Sequence, residues 1–245
     1  MAGGRKQYRR RYSRMVEDNK KLVIAIDGPA GAGKSTIAAR LARKLGYVNL
    51  ESGAMYRALA LKAIENDVSF DDEGALLELA RGSSITLEPR LDGNRVLLDR
   101  RDVSERIRER DVTEAASRVS VHPAVRAWMV ARQREMGAGG GVIMEGRDIG
   151  TVVFPNADVK IFLEAAPAVR VERRQKQRGA DENPDPNIAA ELQERDQRDR
   201  TRTASPLVPA ADSVILDSTH LTIDQVVGRA VDLVWKKLRT ASSGS

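Results

Sequence analysis

Nine residues carry the clearest chemistry in the chain, Gly28-Pro29-Ala30-Gly31-Ala32-Gly33-Lys34-Ser35-Thr36, of which the first eight fit the pattern G-x-x-x-x-G-K-[ST]. Glycines at this spacing let successive backbone N–H groups turn toward one point and form an anion nest, and a following helix N-terminus adds its partial positive charge. Lys34 then reaches the β and γ phosphates of a nucleoside triphosphate, and the Ser35 hydroxyl is a ligand for Mg²⁺. A plain Gly-rich βα turn is the bland alternative, and the apolar run before the loop argues against it. Triphosphate binding is therefore expected, but the use made of the triphosphate is left to the rest of the chain. The pattern N-K-x-D that reads guanine in GTPases is absent.

The loop requires a strand before it and a helix after it. Leu22 to Asp27 reads as a buried strand and Lys34 to Leu45 as an amphipathic helix. The alternation continues: strands at Val48 to Leu50, Val142 to Met144, Val159 to Leu163 and Val214 to Leu216, and helices at Gly53 to Asn66, Ala168 to Arg178 and Ile223 to Leu238. Such βα alternation predicts an α/β fold with a five-stranded parallel sheet flanked by helices. Ligands in open parallel sheets bind just beyond strand C-termini. That rule directs Glu51, Ser52, Tyr56 and Arg57 after the second strand, and Arg147 and Asp148 after the third, toward the crevice.

Two stretches break the rhythm. Ile85 to Glu88 and Arg95 to Asp99 are β-like around Leu91-Asp92-Gly93-Asn94, which predicts a hairpin and a small inserted β-containing subdomain over 84 to about 110. The polar, proline-bearing segment Gly179 to Asn187 predicts an exposed loop suited to a lid.

The net charge of +6 is not spread evenly. Eight basic and two acidic residues fall in residues 1 to 21, leaving 33 of each sign in the rest. This basic segment, with Tyr8 and Tyr12 interleaved, reads as a disordered tail, with RNA or anionic surfaces as alternative partners; residues 239–245 read as a second tail. No apolar run reaches the ~20 residues of a membrane span, and no secretory signal pattern precedes the first strand. The absence of cysteine excludes disulfides and thiolate catalysis. A cytoplasmic monomer without membrane contact is expected.

Four stretches, IDGPAGAGKST, ESGAMYRALAL, EGRDIGTVVFPNADVKIFLEA and ERDQRDRTRTASPLVPAADSVILDST, occur in this order over about residues 22 to 238 and resemble bacterial cytidylate kinases throughout. The resemblance implies transfer of the ATP γ-phosphate to CMP or dCMP. It also implies a nucleoside-monophosphate-binding subdomain, a lid, and Mg²⁺ with ATP. On this resemblance Arg57, Arg147 and Arg202 hold the acceptor phosphate, Tyr56, Arg195 and Asp199 contact the ribose, and Ser117, Arg126 and Asp148 read cytosine, with Ser52 beside them. Lys34, Arg147, Asp148, Arg195 and Arg202 form the catalytic set. Glu51 and Glu145 stand where relatives also carry aspartate. Without the resemblance, Arg195, Arg198 and Arg202 would read as a solvated charged helix face, Ser117 and Arg126 as ordinary helix residues, and Trp128 and Trp235 as packing. Arg173 and Arg174 are either ATP contacts or exposed. A kinase preferring UMP or shikimate and an ATP-dependent nucleic-acid-binding protein are the competing readings.

Overall fold

The computed structural model describes residues 21–90, 93–179 and 185–242. The basic segment up to residue 20, residues 91–92 of the expected turn, 180–184 of the expected lid and the last three residues lie outside the described residues.

Strand β1 (Val23–Asp27) lies at the centre of a parallel sheet between β6 (Val142–Gly146) and β7 (Val159–Glu164). Strand β2 (Val48–Glu51) forms one edge and β8 (Val214–Asp217) the other, giving the order β2-β6-β1-β7-β8. A strand with both faces covered buries successive side chains on opposite sides. In β1, Ile24 and Ile26 join a core with Leu41, Val227 and Leu163, while Ala25 faces a core containing Met55, Leu59, Met129 and Met144. Helices α1 (Lys34–Leu45) and α8 (Ile223–Ser242) cover the first face. Helices α2 (Ser52–Glu65), α3 (Glu73–Arg81), α4 (Arg110–Val119) and α5 (Pro123–Gly137) pack on the other. Nearly every side of α2 is apolar, because it is wedged between the main sheet and a second, smaller sheet.

That smaller sheet contains β3 (Ile85–Arg90), β4 (Gly93–Leu98) and β5 (Arg101–Asp102). Its hairpin register pairs Ile85 with Leu98, Leu87 with Val96 and Arg90 with Gly93, so only residues 91 and 92 lie between the strands. The apolar face of this sheet joins the core cluster of α2, α4 and α5. Helices α6 (Pro167–Gln177) and α7 (Ile188–Thr201) flank the expected lid. Among the described residues no helix is long and apolar enough to cross a membrane.

Two features were not anticipated. Helix α3 is capped by Asp72, whose side chain accepts from the Ala75 amide at 3.0 Å; its nine residues carry too short an apolar pattern to stand out. Strand β6 runs on through Glu145 and Gly146, and the chain then makes a π-helical turn over Ile149–Val153. The strand-end carboxylate Asp27 holds that turn, accepting from the amides of Ile149 at 2.8 Å and Gly150 at 2.7 Å.

Candidate active site

β1 ends at Asp27, and the chain enters α1 through Gly28, Gly31 and Gly33, with φ of 146°, 75° and 95°. Gly28 admits no other residue, since a Cβ there would lie 2.1 Å from the Leu163 carbonyl oxygen. The N-terminus of α1 has no capping side chain and no acidic residue in its first turn, which leaves its N–H groups and partial positive charge available to an anion. Lys34 is buried at this end, and its Nζ donates to the Pro29 carbonyl at 2.8 Å. Burial, reinforced by Arg147 and Arg195 and opposed by Glu145 and Asp199, pushes its pKa down to about 7. Ser35 and Thr36 are exposed at the start of the helix.

The ends of β2 and β6 bring the remaining residues to the same side of the sheet. The Ser52 hydroxyl donates to the Glu145 carbonyl at 2.7 Å, tying the start of α2 to β6. Arg57, one turn further, pairs with Glu51 at 2.5 Å. Arg147 Nε donates to Asp199 at 2.8 Å, and Arg202 donates to the other Asp199 oxygen at 3.3 Å. Asp148 and Arg126 form a buried pair at 2.5 Å, with the guanidinium 5.4 Å from the Tyr56 ring centre and a second bond to the Ser120 carbonyl at 3.1 Å. The Ser117 hydroxyl accepts from Arg198 at 2.7 Å. Arg195 is half-buried, and burial followed by repulsion from Arg147 pushes it down to about 10.

A cluster of cations shifted against one another signals a site built for a polyanion. Here Arg147 and Arg195 push Lys34 down, and Arg147, Arg57 and Arg174 push Arg195 down, each after burial. Buried polar atoms without protein partners sit on Arg57 and on neighbouring site residues: the Tyr56 hydroxyl, Arg57 Nε, Arg126 Nε, Arg202 Nη2 and Glu145 Oε1. Such atoms cost stability unless another molecule satisfies them. Burial also pushes the Tyr56 phenol up to about 12, so it remains a hydrogen-bond donor at neutral pH.

Arg173 donates to the Ala32 carbonyl at 3.1 Å and to Ser218 Oγ at 3.0 Å, so it buttresses the phosphate loop from outside. Arg174 is half-buried and feels the charges of Arg178 and Arg57. His122 Nε2 is 2.7 Å from the Phe70 carbonyl, and Trp128 packs against the core, so neither belongs to the site.

Sequence reasoning missed Asp27, Asn94, Arg170 and Asp196. Asn94 completes the free edge of β2: its Oδ1 accepts from the Glu51 amide at 2.9 Å and its Nδ2 donates to the Asn49 carbonyl at 2.7 Å. It thereby connects the hairpin to the strand end that leads into α2. Position offered a signal for Asp27, as an acid at a strand end beside the loop; the other three carry none.

Comparison with known proteins agrees with this geometry. A family model described as cytidylate kinase matches residues 24–236. A cytidylate kinase from Solibacter usitatus is 50% identical over 211 residues, covering 84% of this chain and 89% of its own length. One from Pelotomaculum thermopropionicum is 50% identical over 83% of this chain and 92% of its own. One from Pasteurella multocida is 46% identical over 90% and 98%. With the phosphate loop, the strand-end arginines and the Arg126–Asp148 pair all inside the matched span, the chain belongs to the cytidylate kinase family.

Proposed function

We propose that this chain transfers the γ-phosphate of ATP directly to CMP or dCMP, giving CDP or dCDP and ADP, as a step of pyrimidine nucleotide metabolism. The observation that carries the acceptor choice is the buried Arg126–Asp148 pair beside the partnerless Tyr56 hydroxyl. Asp148 is a carboxylate acceptor for the exocyclic amine of cytosine, where uracil presents another acceptor. Arg126 and Ser117 complete the base contacts. Tyr56, Arg195 and Asp199 receive the ribose, and Arg57, Arg147 and Arg202 the phosphate, for which planar guanidinium forks are suited. Ser52 holds the start of α2 against β6.

The acceptor oxygen needs no general base, because the second pKa of a phosphate monoester is about 6. The work is to bring two polyanions together and stabilise charge spread over the transferring group. The loop from Gly28 to Thr36 cradles the donor phosphates. Lys34 gives up the Pro29 carbonyl and regains its proton as it meets them, because anionic oxygens favour the ammonium form. Arg147, Arg195 and Arg202 neutralise the charge between the two substrates.

Mg²⁺ fits the donor set, which is the exposed Ser35 hydroxyl with the partnerless oxygen of Glu145 close behind it. When bound it supplies charge neutralisation on the nucleotide phosphates. The hairpin region 84 to about 110 serves as the monophosphate-binding subdomain, and closure of the lid 179–187 excludes water. The protein works as a cytoplasmic monomer. The test is phosphorus NMR of a mixture of ATP, CMP and Mg²⁺ with catalytic enzyme. Stoichiometric appearance of CDP and ADP resonances is expected, and release of inorganic phosphate in their place would refute the reading.

A further inference from the structure

One residue of the phosphate loop, Ala30, is held from two sides by an ion pair that reaches in from two other helices. Asp196 of α7 accepts from the Ala30 amide through Oδ1 at 3.1 Å. Arg170 of α6 donates to the Ala30 carbonyl at 3.0 Å, and the same nitrogen bonds the other oxygen of Asp196. Both side chains are largely sheltered, at 12% and 11% exposure. The packing repeats the connection. Ala30 forms a small apolar cluster with Ile188 and Leu192 of α7, with Val171 of α6 alongside, separate from the two main cores. Gly31 lies hard against α6, where a Cβ would come within 3.1 Å of both the Cβ and the carbonyl oxygen of Arg170.

Peptide planarity turns these contacts into control of the loop. The Ala30 carbonyl and the Gly31 amide belong to one trans peptide and point in opposite directions. Arg170 draws that carbonyl toward α6 and so turns the Gly31 amide away from α6. Arg173, three residues on, does the same for the Ala32 carbonyl and the Gly33 amide. Two arginines of one helix thus orient two of the peptide planes that make the nest.

The other end of the connection is α7. Arg195 precedes Asp196, Asp199 follows it by three residues, and Arg202 stands immediately after the helix. A helix rises about 1.5 Å per residue, so Asp196 anchors α7 within about 5 Å, along its axis, of Arg195 and Asp199. The linkage therefore spans both phosphate sites: the loop that cradles the donor and the helix that carries ligands for the acceptor.

We propose that the Arg170–Asp196 pair is a positioning device that fixes helix α7 to the phosphate loop at Ala30, holding donor and acceptor phosphates at attack distance. The proposal rests on the acceptor role of Arg195, Asp199 and Arg202 given above. Both residues act through Ala30. Relative placement of two bound reactants governs the chemical step, where a shift of about 1 Å costs on the order of 100-fold. The affinity of each substrate for its own half of the site is far less sensitive to that placement.

The test uses the full chain with Asp196→Ala, Arg170→Met and the double substitution, measuring kcat and KM for CMP and for ATP alongside the melting temperature. The expected result is kcat lower by roughly 10- to 100-fold in each single variant with KM for CMP within about threefold of the parent. KM for ATP stays within the same range in Asp196→Ala and rises together with the loss of kcat in Arg170→Met, which also frees the Ala30 carbonyl. The double variant should be no slower than the slower single, because the two residues act as a unit. Parent-like kcat, a rise in KM for ATP with kcat intact, or multiplying losses in the double variant would each overturn the proposal. Should Asp196→Ala not fold, Asp196→Asn keeps an oxygen for the Ala30 amide while turning an N–H toward Arg170. An intermediate loss of kcat with unchanged KM is then expected, and full activity would overturn the proposal. An inactive parent would remove the acceptor reading and this proposal together, and is told apart because no substitution is involved.

Discussion

Asp148→Ala separates the structural and the recognition work of one residue. In the protein the Arg126 side chain is 3% exposed and the Asp148 side chain 7%, and the two are 2.5 Å apart. Truncation leaves the guanidinium buried with the Ser120 carbonyl at 3.1 Å and the Tyr56 ring as its remaining contacts. Removing one partner of a buried ion pair costs about 3 to 5 kcal/mol. For a chain of this size each kcal/mol lowers Tm by about 2 to 4 °C, so a fall of roughly 6 to 20 °C is expected by calorimetry. Replacing both members, Arg126→Met with Asp148→Leu, removes the stranded charge and should restore most of the lost stability. Selectivity should not return with it. At a temperature where every variant is folded, the ratio of kcat/KM for CMP over UMP should fall by about 10- to 100-fold in the single and the double variants, equivalent to the 1 to 3 kcal/mol of a base-reading contact. KM for ATP should stay within about twofold of the parent. An unchanged Tm would refute the burial argument, and an unchanged CMP to UMP ratio would refute base reading by Asp148.

Other perturbations test the remaining pieces. Lys34, pushed down to about 7 in the free protein, is mostly neutral at pH 8.5 and becomes an ammonium against phosphate; ATP binding should then take up close to one proton, measured by titration calorimetry in buffers of different ionisation enthalpy, and Lys34→Ala should abolish both the uptake and the transfer. Asp27 is raised to about 6 by burial, only partly offset by its two backbone hydrogen bonds. A carboxyl with a raised folded pKa favours the folded state below its unfolded pKa and loses that advantage as pH rises through about 6, a loss of about 3 kcal/mol at 1.36 kcal/mol per unit. Asp27→Asn should flatten the decline in denaturant-measured stability between pH 4 and 6, and a parallel pH profile would contradict this. Asn94→Ala strands the Glu51 amide and the Asn49 carbonyl, so a loss of about 1 to 3 kcal/mol in urea unfolding is expected, with a raised KM for CMP because the strand end leading to Tyr56 and Arg57 loosens.

The parts of the site legible in the sequence are those whose residue types act locally. Gly28, Gly31 and Gly33 have the backbone geometry that their spacing implied, and α1 runs over the expected Lys34–Leu45. The five strands follow from apolar runs that a doubly covered sheet requires. Arg126 and Ser117 became site candidates only through family resemblance, since a helix position says nothing about what the helix faces. Asp27 shows in the sequence as an acid at a strand end beside the loop, but not the turn it holds, because Ile149 and Gly150 lie 122 and 123 residues further along the chain. The contact between Ala30 and Asp196 spans 166 residues and depends on how α6 and α7 return to the loop. Arg173 reads as a ligand contact or a solvent-facing residue in sequence, whereas in the fold its guanidinium is committed to Ala32 and Ser218.

The central claim, that the arginine-rich crevice beside the phosphate loop accepts a cytosine monophosphate, is tested most directly by initial rates of ADP formation from saturating ATP with CMP, dCMP, UMP and AMP as acceptors. CMP and dCMP should give the highest kcat/KM, with UMP lower by about 10-fold or more and AMP essentially unused. Equal use of UMP or AMP, or ADP formation that does not depend on any added acceptor, would contradict it.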